Sequence, residues 1–167
     1  MSRLWIALRG FGYAALFLTL WTLAALMFRP LDKYIPIRIP NGLGVPGFVL
    51  VLAGIALTLI TSAYFVFEGR GTPAIFDPPI EFVPHGLNRF VRNPMYIGYV
   101  IGQLGLGLCF RSVSMVLFAV IVFLLIHTFV VFAEEPGLRR RFGTQYDEYC
   151  RAVPRWIPRF TQRHLPT

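Results

Sequence analysis

The sequence predicts an all-α membrane protein with about four transmembrane helices, in which the last two form an antiparallel hairpin that an amphipathic helix follows. Hydrophobic residues make up 56% of the 167 residues and charged residues only 14%, whereas a soluble domain has about 25% charged residues. Four long stretches contain no Asp, Glu, Lys or Arg, and the basic residues lie between or beyond them. This balance excludes a soluble enzyme, a disordered chain and a disulfide scaffold.

Each charge-free stretch is long enough to cross a bilayer as one helix. The stretches are residues 10–28, 40–67, 93–110 and 112–133, and a crossing needs roughly 17–25 residues. The first stretch follows two arginines, as the apolar part of a signal peptide would, but it is long for that role and no convincing cleavage site follows it. We therefore expect it to be a retained helix.

The distribution of basic residues predicts the orientation in the membrane. Four crossings place both termini and the loop 68–92 on one side. Twelve of the 16 Lys and Arg residues lie on that side and four on the other. Because cytoplasmic segments carry the excess of positive charge, we expect a multi-pass protein whose termini and active site face the cytoplasm. These membrane flanks also explain the net charge of +8, so we expect the lipid bilayer and no nucleic acid as a partner.

The chain divides into two parts after the second stretch. Residues 1–67 contain the first two predicted helices. Residues 68–167 contain a loop rich in Pro and Gly, the hairpin of the third and fourth stretches, and a cytoplasmic amphipathic helix. The amphipathic helix is predicted from apolar residues at helical spacing: Leu138, Phe142, Tyr146, Tyr149 and Val153. We expect the second part to carry the functional site.

The hairpin brings two polar pairs to the same membrane face. Arg92 lies about 19 residues before the short turn at Arg111, and Glu134 lies about 23 residues after it. At 1.5 Å per residue, the two arms differ in length by only about 5 Å. We therefore expect Arg92 and Asn93 to meet Glu134 and Glu135.

The two pairs have complementary charge. We expect Asn93 to cap the third helix and Pro94 to occupy its first turn, so that free N–H groups beside Arg92 form an anion site. Glu134 and Glu135 are expected at the end of the fourth helix, where the helix dipole disfavours carboxylates and favours a cationic partner. Two interpretations remain open. Arg92 locks the hairpin by pairing with a glutamate, or the two ends form a cytosolic pocket for a zwitterionic or sulfonium ligand.

These residues are part of a longer motif that resembles a known family. The motif consists of Arg92-Asn93-Pro94-Met95-Tyr96-Ile97-Gly98, Glu134-Glu135, Leu138, Phe142-Gly143, Tyr146, Tyr149 and Val153-Pro154. With its flanks it covers residues 68–160 and resembles the isoprenylcysteine carboxyl methyltransferase family and its relatives, the phospholipid N-methyltransferases. The resemblance implies an S-adenosylmethionine-dependent methyltransferase embedded in the membrane, with a lipophilic small molecule or a lipidated chain as its substrate.

The resemblance implies cofactor contacts for the hairpin residues, and we expect His85 in the preceding loop to line the same pocket. The expected cofactor-binding residues are His85, Arg92, Asn93, Pro94, Tyr96, Glu134, Glu135, Phe142 and Tyr146. Asn93 stands where the family has His, and Ala152 stands where the carboxyl methyltransferases often have a basic residue before Val-Pro.

Three residues are candidates for catalysis. Arg92 or Arg151 is expected to orient a carboxylate acceptor, and Glu135 is expected to help an amine acceptor lose its proton. No His, Cys or carboxylate group has metal-ligand spacing, so we expect no metal.

The acceptor is left open by the residues alone. The resemblance favours a carboxylate of the isoprenylcysteine type, and the amine of phosphatidylethanolamine is the alternative. Two other classes of protein remain: a non-catalytic membrane accessory protein with the same hairpin, and a reductase that uses a nicotinamide cofactor. The reductases with a similar hairpin have many more crossings than this chain.

Overall fold

The fold consists of helices joined by turns and short irregular segments. A computed structural model of the chain describes residues 3–69 and 82–160, and within these ranges it contains no strand. The α-helices are α1 (Arg3–Phe28), α2 (Gly44–Phe67), α3 (Pro94–Cys109), α4 (Val113–Phe129), α5 (Glu135–Phe142) and α6 (Thr144–Ala152). Short 3-10 helices occupy Arg29–Tyr34, Asn41–Leu43 and Gly86–Arg89. The predicted all-helical fold class is confirmed.

Three of the helical segments are long and apolar enough to cross a membrane. They are Trp5–Tyr34, Asn41–Phe67 and Val113–Phe142. The apolar helix α3 has 16 residues, just below the roughly 17 that a crossing usually needs. The number of crossings therefore stays a prediction.

The predicted antiparallel hairpin of α3 and α4 is confirmed. Arg111 makes the turn with a φ of 52°, and the Ser112 side chain caps α4 by accepting a hydrogen bond from the Met115 N–H at 3.2 Å. Asp32, in the 3-10 helix after α1, accepts hydrogen bonds from the backbone and the hydroxyl of Ser114, both at 2.8 Å. This contact fixes the turn of the hairpin to the end of α1.

Glycines bring the backbones of α2 and α3 into direct contact. A Cβ atom added at Gly54 would lie 2.4 Å from the carbonyl oxygen of Gly98 and 2.6 Å from the nitrogen of Gly102. Small residues permit such close approach between membrane helices. α1 packs differently, through aromatic rings, because Trp21 contacts Tyr99 of α3 and Phe118 of α4.

The prediction that the fourth helix ends at the acidic pair is wrong. A π-helical turn, Val130–Glu134, continues α4 directly into α5. The wider turn suits Pro136, because a proline inside a helix lacks an N–H and its ring collides with the carbonyl four residues earlier. Glu134 and Glu135 therefore lie inside a continuous helical run.

The predicted amphipathic helix is present as two helices. Gly143 separates α5 from α6 with a φ of 57°, a conformation that L-residues with a side chain rarely adopt. The predicted apolar stripe is confirmed, because Tyr146, Tyr149 and Val153 form a buried cluster with Leu138 and Phe142 against it.

Candidate functional site

The site is built around an ion pair between the two arms of the hairpin. Arg92, which precedes α3, places Nη1 3.2 Å from Oε1 of Glu135 at the start of α5. The two side chains are only 10% and 4% exposed. The predicted meeting of Arg92 with the acidic pair is confirmed.

A second cation, which the sequence analysis missed, binds the same glutamate. Arg155 donates from Nε to Oε1 of Glu135 at 2.7 Å and from Nη2 to Oε2 at 2.9 Å. This hydrogen bonding raises the pKa of Arg155 above its usual value. The sequence feature that pointed to such a cation was the carboxylate of Glu135, which lies beside hydrocarbon and requires a positively charged partner. The segment after Val153 has no periodicity that places its side chains, so the sequence indicated a basic residue only before Val153.

The residues after α6 fold back across the hairpin as a strap, residues 153–160. The Asn93 amide donates from Nδ2 to the carbonyl oxygen of Arg155 at 3.2 Å. Trp156 donates from its indole nitrogen to Nδ1 of His127 in α4 at 2.9 Å. The strap is thus attached to both arms of the hairpin.

These contacts change the predicted anion site at the start of α3. Asn93 occupies the expected N-cap position, but its side chain binds the strap and does not cap the helix. The Arg92 guanidinium contacts Glu135 and also donates to the sulfur of Cys150 at 2.6 Å. Nη1 of Arg92 is therefore engaged within the protein, while its Nε is buried without a partner among the described residues.

The two glutamates of the acidic pair have different environments. The Tyr96 hydroxyl donates to Oε2 of Glu134 at 2.9 Å, and among the described residues none forms a hydrogen bond or an ion pair with the other oxygen of Glu134. Glu135, by contrast, is neutralised by two guanidinium groups. The lock interpretation therefore fits Glu135, and the ligand interpretation fits Glu134.

A cavity of about 420 Å³ lies between these residues, within the usual size range of small-molecule sites. Its described lining consists of Thr61, Phe65, Phe82, Val83, Asn88, Arg92, Asn93, Pro94, Met95, Tyr96, Phe129, Val130, Ala133, Glu134, Glu135, Gly137, Leu138, Arg141, Phe142, Tyr146 and Tyr149. Eight of the nine predicted cofactor-binding residues are among them. We call this space the polar cavity.

Neutral polar side chains form one wall of the polar cavity. The Tyr149 hydroxyl donates to the carbonyl oxygen of Asn88 at 2.7 Å, and burial raises the pKa of Tyr146 and Tyr149 above its usual value. Both phenols therefore stay protonated near neutral pH. Asn88 donates from Nδ2 to Val83 at 3.0 Å, but its Oδ1 is buried without a partner among the described residues.

Two predicted site residues lie apart from the polar cavity. The side chains of His85 and Arg151 are exposed, and neither residue belongs to the described lining. Their predicted roles stay predictions, and Arg155 is the arginine of this region that reaches the acidic pair.

A second cavity of about 400 Å³ adjoins the first and is lined by residues of α1, α2, α3 and α4. Its described lining consists of Tyr13, Ala14, Leu16, Phe17, Leu20, Trp21, Thr58, Met95, Tyr96, Tyr99, Leu125, Ile126 and Phe129. We call it the apolar cavity. Met95, Tyr96 and Phe129 line both cavities, so the two spaces share a wall beside Glu134.

Comparison with known proteins identifies relatives over most of this region. Protein-S-isoprenylcysteine O-methyltransferase A of Arabidopsis thaliana is 31% identical over 118 residues, which are 67% of this chain and 57% of that protein. The O-methyltransferase B of the same plant is 34% identical over 80 residues, 47% of this chain and 40% of that protein. The nickel-cobalt-cadmium resistance protein NccN of Alcaligenes xylosoxydans xylosoxydans is 30% identical over 81 residues, 48% of this chain and 38% of that protein.

The chain therefore covers between 38% and 57% of the length of these curated relatives. No solved structure matches it significantly. The family model described as phospholipid methyltransferase matches residues 44–145, which include α2 to α5 and the acidic pair. Because this match covers more than half of the chain and agrees with the hairpin motif, the chain belongs to the phospholipid methyltransferase family.

Proposed function

We propose that this protein is a membrane methyltransferase that transfers a methyl group from S-adenosylmethionine to a lipophilic acceptor. The acceptor that we propose is a carboxylate of the isoprenylcysteine type. One observation carries the proposal. A polar cavity with an unshared carboxylate oxygen of Glu134 shares a wall with an apolar cavity that is lined by residues of α1, α2, α3 and α4. Two of the relatives are named isoprenylcysteine O-methyltransferases, which supports the acceptor.

The residues of the polar cavity fit the proposed cofactor. When bound, S-adenosylmethionine supplies a methyl group on a positively charged sulfonium. Glu134 offers a negative charge to a cationic ligand, and Tyr96 fixes that carboxylate by its hydrogen bond. The unpartnered Oδ1 of Asn88 can accept a hydrogen bond from a ligand N–H or O–H. Phe82 and Phe142, whose ring centroids lie 5.2 Å apart, offer aromatic surface to a purine.

The lock around Glu135 holds the arms of the hairpin at a fixed separation. Arg92 and Arg155 join α3, α5 and the strap through one carboxylate. A methyl transfer depends on alignment of the two reactants, so a fixed frame around the cavity contributes to the rate. Arg92 and Glu135 thereby support the site without needing to touch the reacting atoms.

The apolar cavity suits the hydrocarbon part of the acceptor. A carboxylate acceptor is ionised near pH 7 and needs no general base. The protein has only to hold its tail beside the shared wall of Met95, Tyr96 and Phe129 and to exclude water. An amine acceptor would first have to lose a proton, and Glu134 is better placed than Glu135 to accept it, because Glu135 is neutralised by two arginines.

The two parts of the chain divide these tasks in our proposal. All described residues that line the polar cavity come from residues 68–167, except Thr61 and Phe65. Seven of the 13 that line the apolar cavity come from residues 1–67. The second part would thus hold the cofactor, and the first part would hold much of the acceptor.

Transfer of a radiolabelled methyl group tests this proposal. Purified protein in lipid nanodiscs is incubated with methyl-labelled S-adenosylmethionine and either S-farnesylcysteine or phosphatidylethanolamine. We expect label in farnesylcysteine that mild base releases as methanol, because methyl esters hydrolyse and N-methyl groups do not.

The controls separate the alternatives. Base-stable label in phosphatidylethanolamine would instead support the amine acceptor. If calorimetry detects no binding of S-adenosylmethionine and no label is transferred, the proposal fails and the non-catalytic accessory protein is favoured. Binding of NADPH alone would support the reductase.

A further inference from the structure

The charges that line the polar cavity separate into a paired set and an unpaired set. Its described lining contains four charged residues: Arg92, Glu134, Glu135 and Arg141. Arg92 and Glu135 contact each other, and Arg155 adds a second cation to that glutamate. Glu134 keeps one oxygen without a described partner, and Arg141 has no acidic partner among the described residues. One anion and one cation are therefore free to face a ligand.

We propose that Arg141 binds the carboxylate of the amino-acid end of S-adenosylmethionine. This inference rests on the proposed function. It moves the anion-binding end of the pocket from Arg92, where the sequence placed it, to a residue of α5 that the motif does not include.

The position of Arg141 on α5 supports this assignment. Gly137, Leu138, Arg141 and Phe142 all line the polar cavity, and residues at these spacings share one face of a helix. The Arg141 guanidinium carbon lies 5.3 Å from the centroid of the Phe142 ring. Arginine presents a planar fork of donors that matches a carboxylate.

The spacing to Glu134 fits a zwitterion. The two residues are seven positions apart in a continuous helical run, or about 10 Å along the axis at 1.5 Å per residue. The long Arg141 side chain can reach back toward Glu134, because side chains of a helix lean toward its N-terminus. An amino acid carries its ammonium and carboxylate on the same carbon, so it can bind the glutamate with one group and the arginine with the other.

A carboxylate could also come from the acceptor, and the experiment distinguishes the two sources. Binding is measured by calorimetry in detergent with two probes, S-adenosylhomocysteine and 5′-methylthioadenosine. Both contain the adenosine and a thioether, and only the first contains the amino-acid end. Wild type is compared with Arg141→Gln and with Arg140→Gln, which removes the same charge from a neighbouring exposed residue outside the described lining.

We expect Arg141→Gln to weaken binding of S-adenosylhomocysteine by about 10-fold, the effect of one charge-assisted contact at a partly exposed rim. Its binding of 5′-methylthioadenosine should equal that of wild type, which also shows that the variant is folded. Arg140→Gln should bind both probes as wild type does.

Three results would overturn the inference. An unchanged affinity of Arg141→Gln for S-adenosylhomocysteine, with a raised KM for S-farnesylcysteine, would assign Arg141 to the acceptor carboxylate. An equal loss of affinity for S-adenosylhomocysteine in Arg140→Gln would indicate that the overall positive charge of this surface, and not a direct contact from Arg141, attracts the ligand. If wild type binds neither probe, the proposed function itself fails.

Discussion

Arg155 and Glu135 form a bidentate pair, with Nε to Oε1 at 2.7 Å and Nη2 to Oε2 at 2.9 Å. The pair joins the strap after α6 to the helical run that carries the acidic pair. Because Arg92 contacts the same carboxylate, three separate segments of the chain meet at one side chain. This arrangement makes Glu135 the structural centre of the site.

Replacing Arg155 should destabilise the protein. Arg155→Gln leaves Glu135 buried with only Arg92 to neutralise it. Breaking one partner of a buried pair costs about 3–5 kcal/mol, and we expect about 2–3 kcal/mol because the Arg155 side chain is 29% exposed. Thermal unfolding in detergent, followed by circular dichroism, measures the effect. Arg159→Gln is the control, since it removes an exposed arginine of the same strap, and an equal loss in both variants would contradict the prediction.

The two glutamates should respond differently to the same substitution. Glu135→Gln removes the charge that two arginines bind, so we expect a clear fall in melting temperature. Glu134→Gln keeps the size and the hydrogen-bonding capacity of a side chain that faces the cavity, so we expect little change in melting temperature. The affinity of the Glu134→Gln variant for S-adenosylmethionine should fall roughly 10–150-fold, the effect of losing a charge-assisted hydrogen bond.

Melting temperature and calorimetric affinity are therefore measured on both variants. If Glu135→Gln weakens the binding of S-adenosylmethionine at unchanged melting temperature, the lock interpretation of Glu135 is wrong.

Closer packing of α2 and α3 is not possible at Gly54. In Gly54→Ala the added Cβ would lie 2.4 Å from the backbone oxygen of Gly98, which no rotation of a side chain can relieve. We expect a loss of about 3 kcal/mol, the upper end for overpacking. Gly12→Ala is the matched control in α1, because its added Cβ would meet nothing within 4 Å. Thermal unfolding of the two variants should separate them, and equal melting temperatures would show that α2 and α3 can move apart at little cost.

The orientation predicted from the basic residues can be tested with cysteine labelling. In a background of Cys109→Ser and Cys150→Ser, single cysteines are introduced at the exposed residues Gly42 and Glu148. An impermeant maleimide added to intact cells should label Gly42→Cys, and it should label Glu148→Cys only after the membrane is opened. The reverse pattern would place the polar cavity away from cytosolic S-adenosylmethionine.

The main contact of the site could be predicted because it depends on regular geometry. The constant rise of a helix and the short turn at Arg111 determine which residues of the two arms lie opposite each other. This arithmetic correctly paired Arg92 with the acidic pair. It did not depend on the exact form of the helix end, so the pairing survived the wrong expectation that α4 stops at Glu134.

The contribution of the strap could not be predicted in the same way. Residues 153–160 follow no helical period, so the direction of each side chain depends on tertiary contacts such as the bond from Trp156 to His127. The π turn before Pro136 is a similar case. This turn contains one more residue than an ordinary α-helical turn. Only the local hydrogen bonds determine whether a proline ends a helix or is accommodated within it.

The glycine contact between α2 and α3 has a mechanical consequence. Because the backbones of α2 and α3 are in contact, these two helices form a rigid unit that does not rearrange to make room for a larger ligand. α1 meets the same bundle through aromatic side chains such as Phe17 and Trp21, and these line the apolar cavity. If the protein accepts acceptors of different width, the side chains that adapt to them should therefore be those of α1. These side chains can be replaced without changing the glycine contact or the residues that bind Glu135.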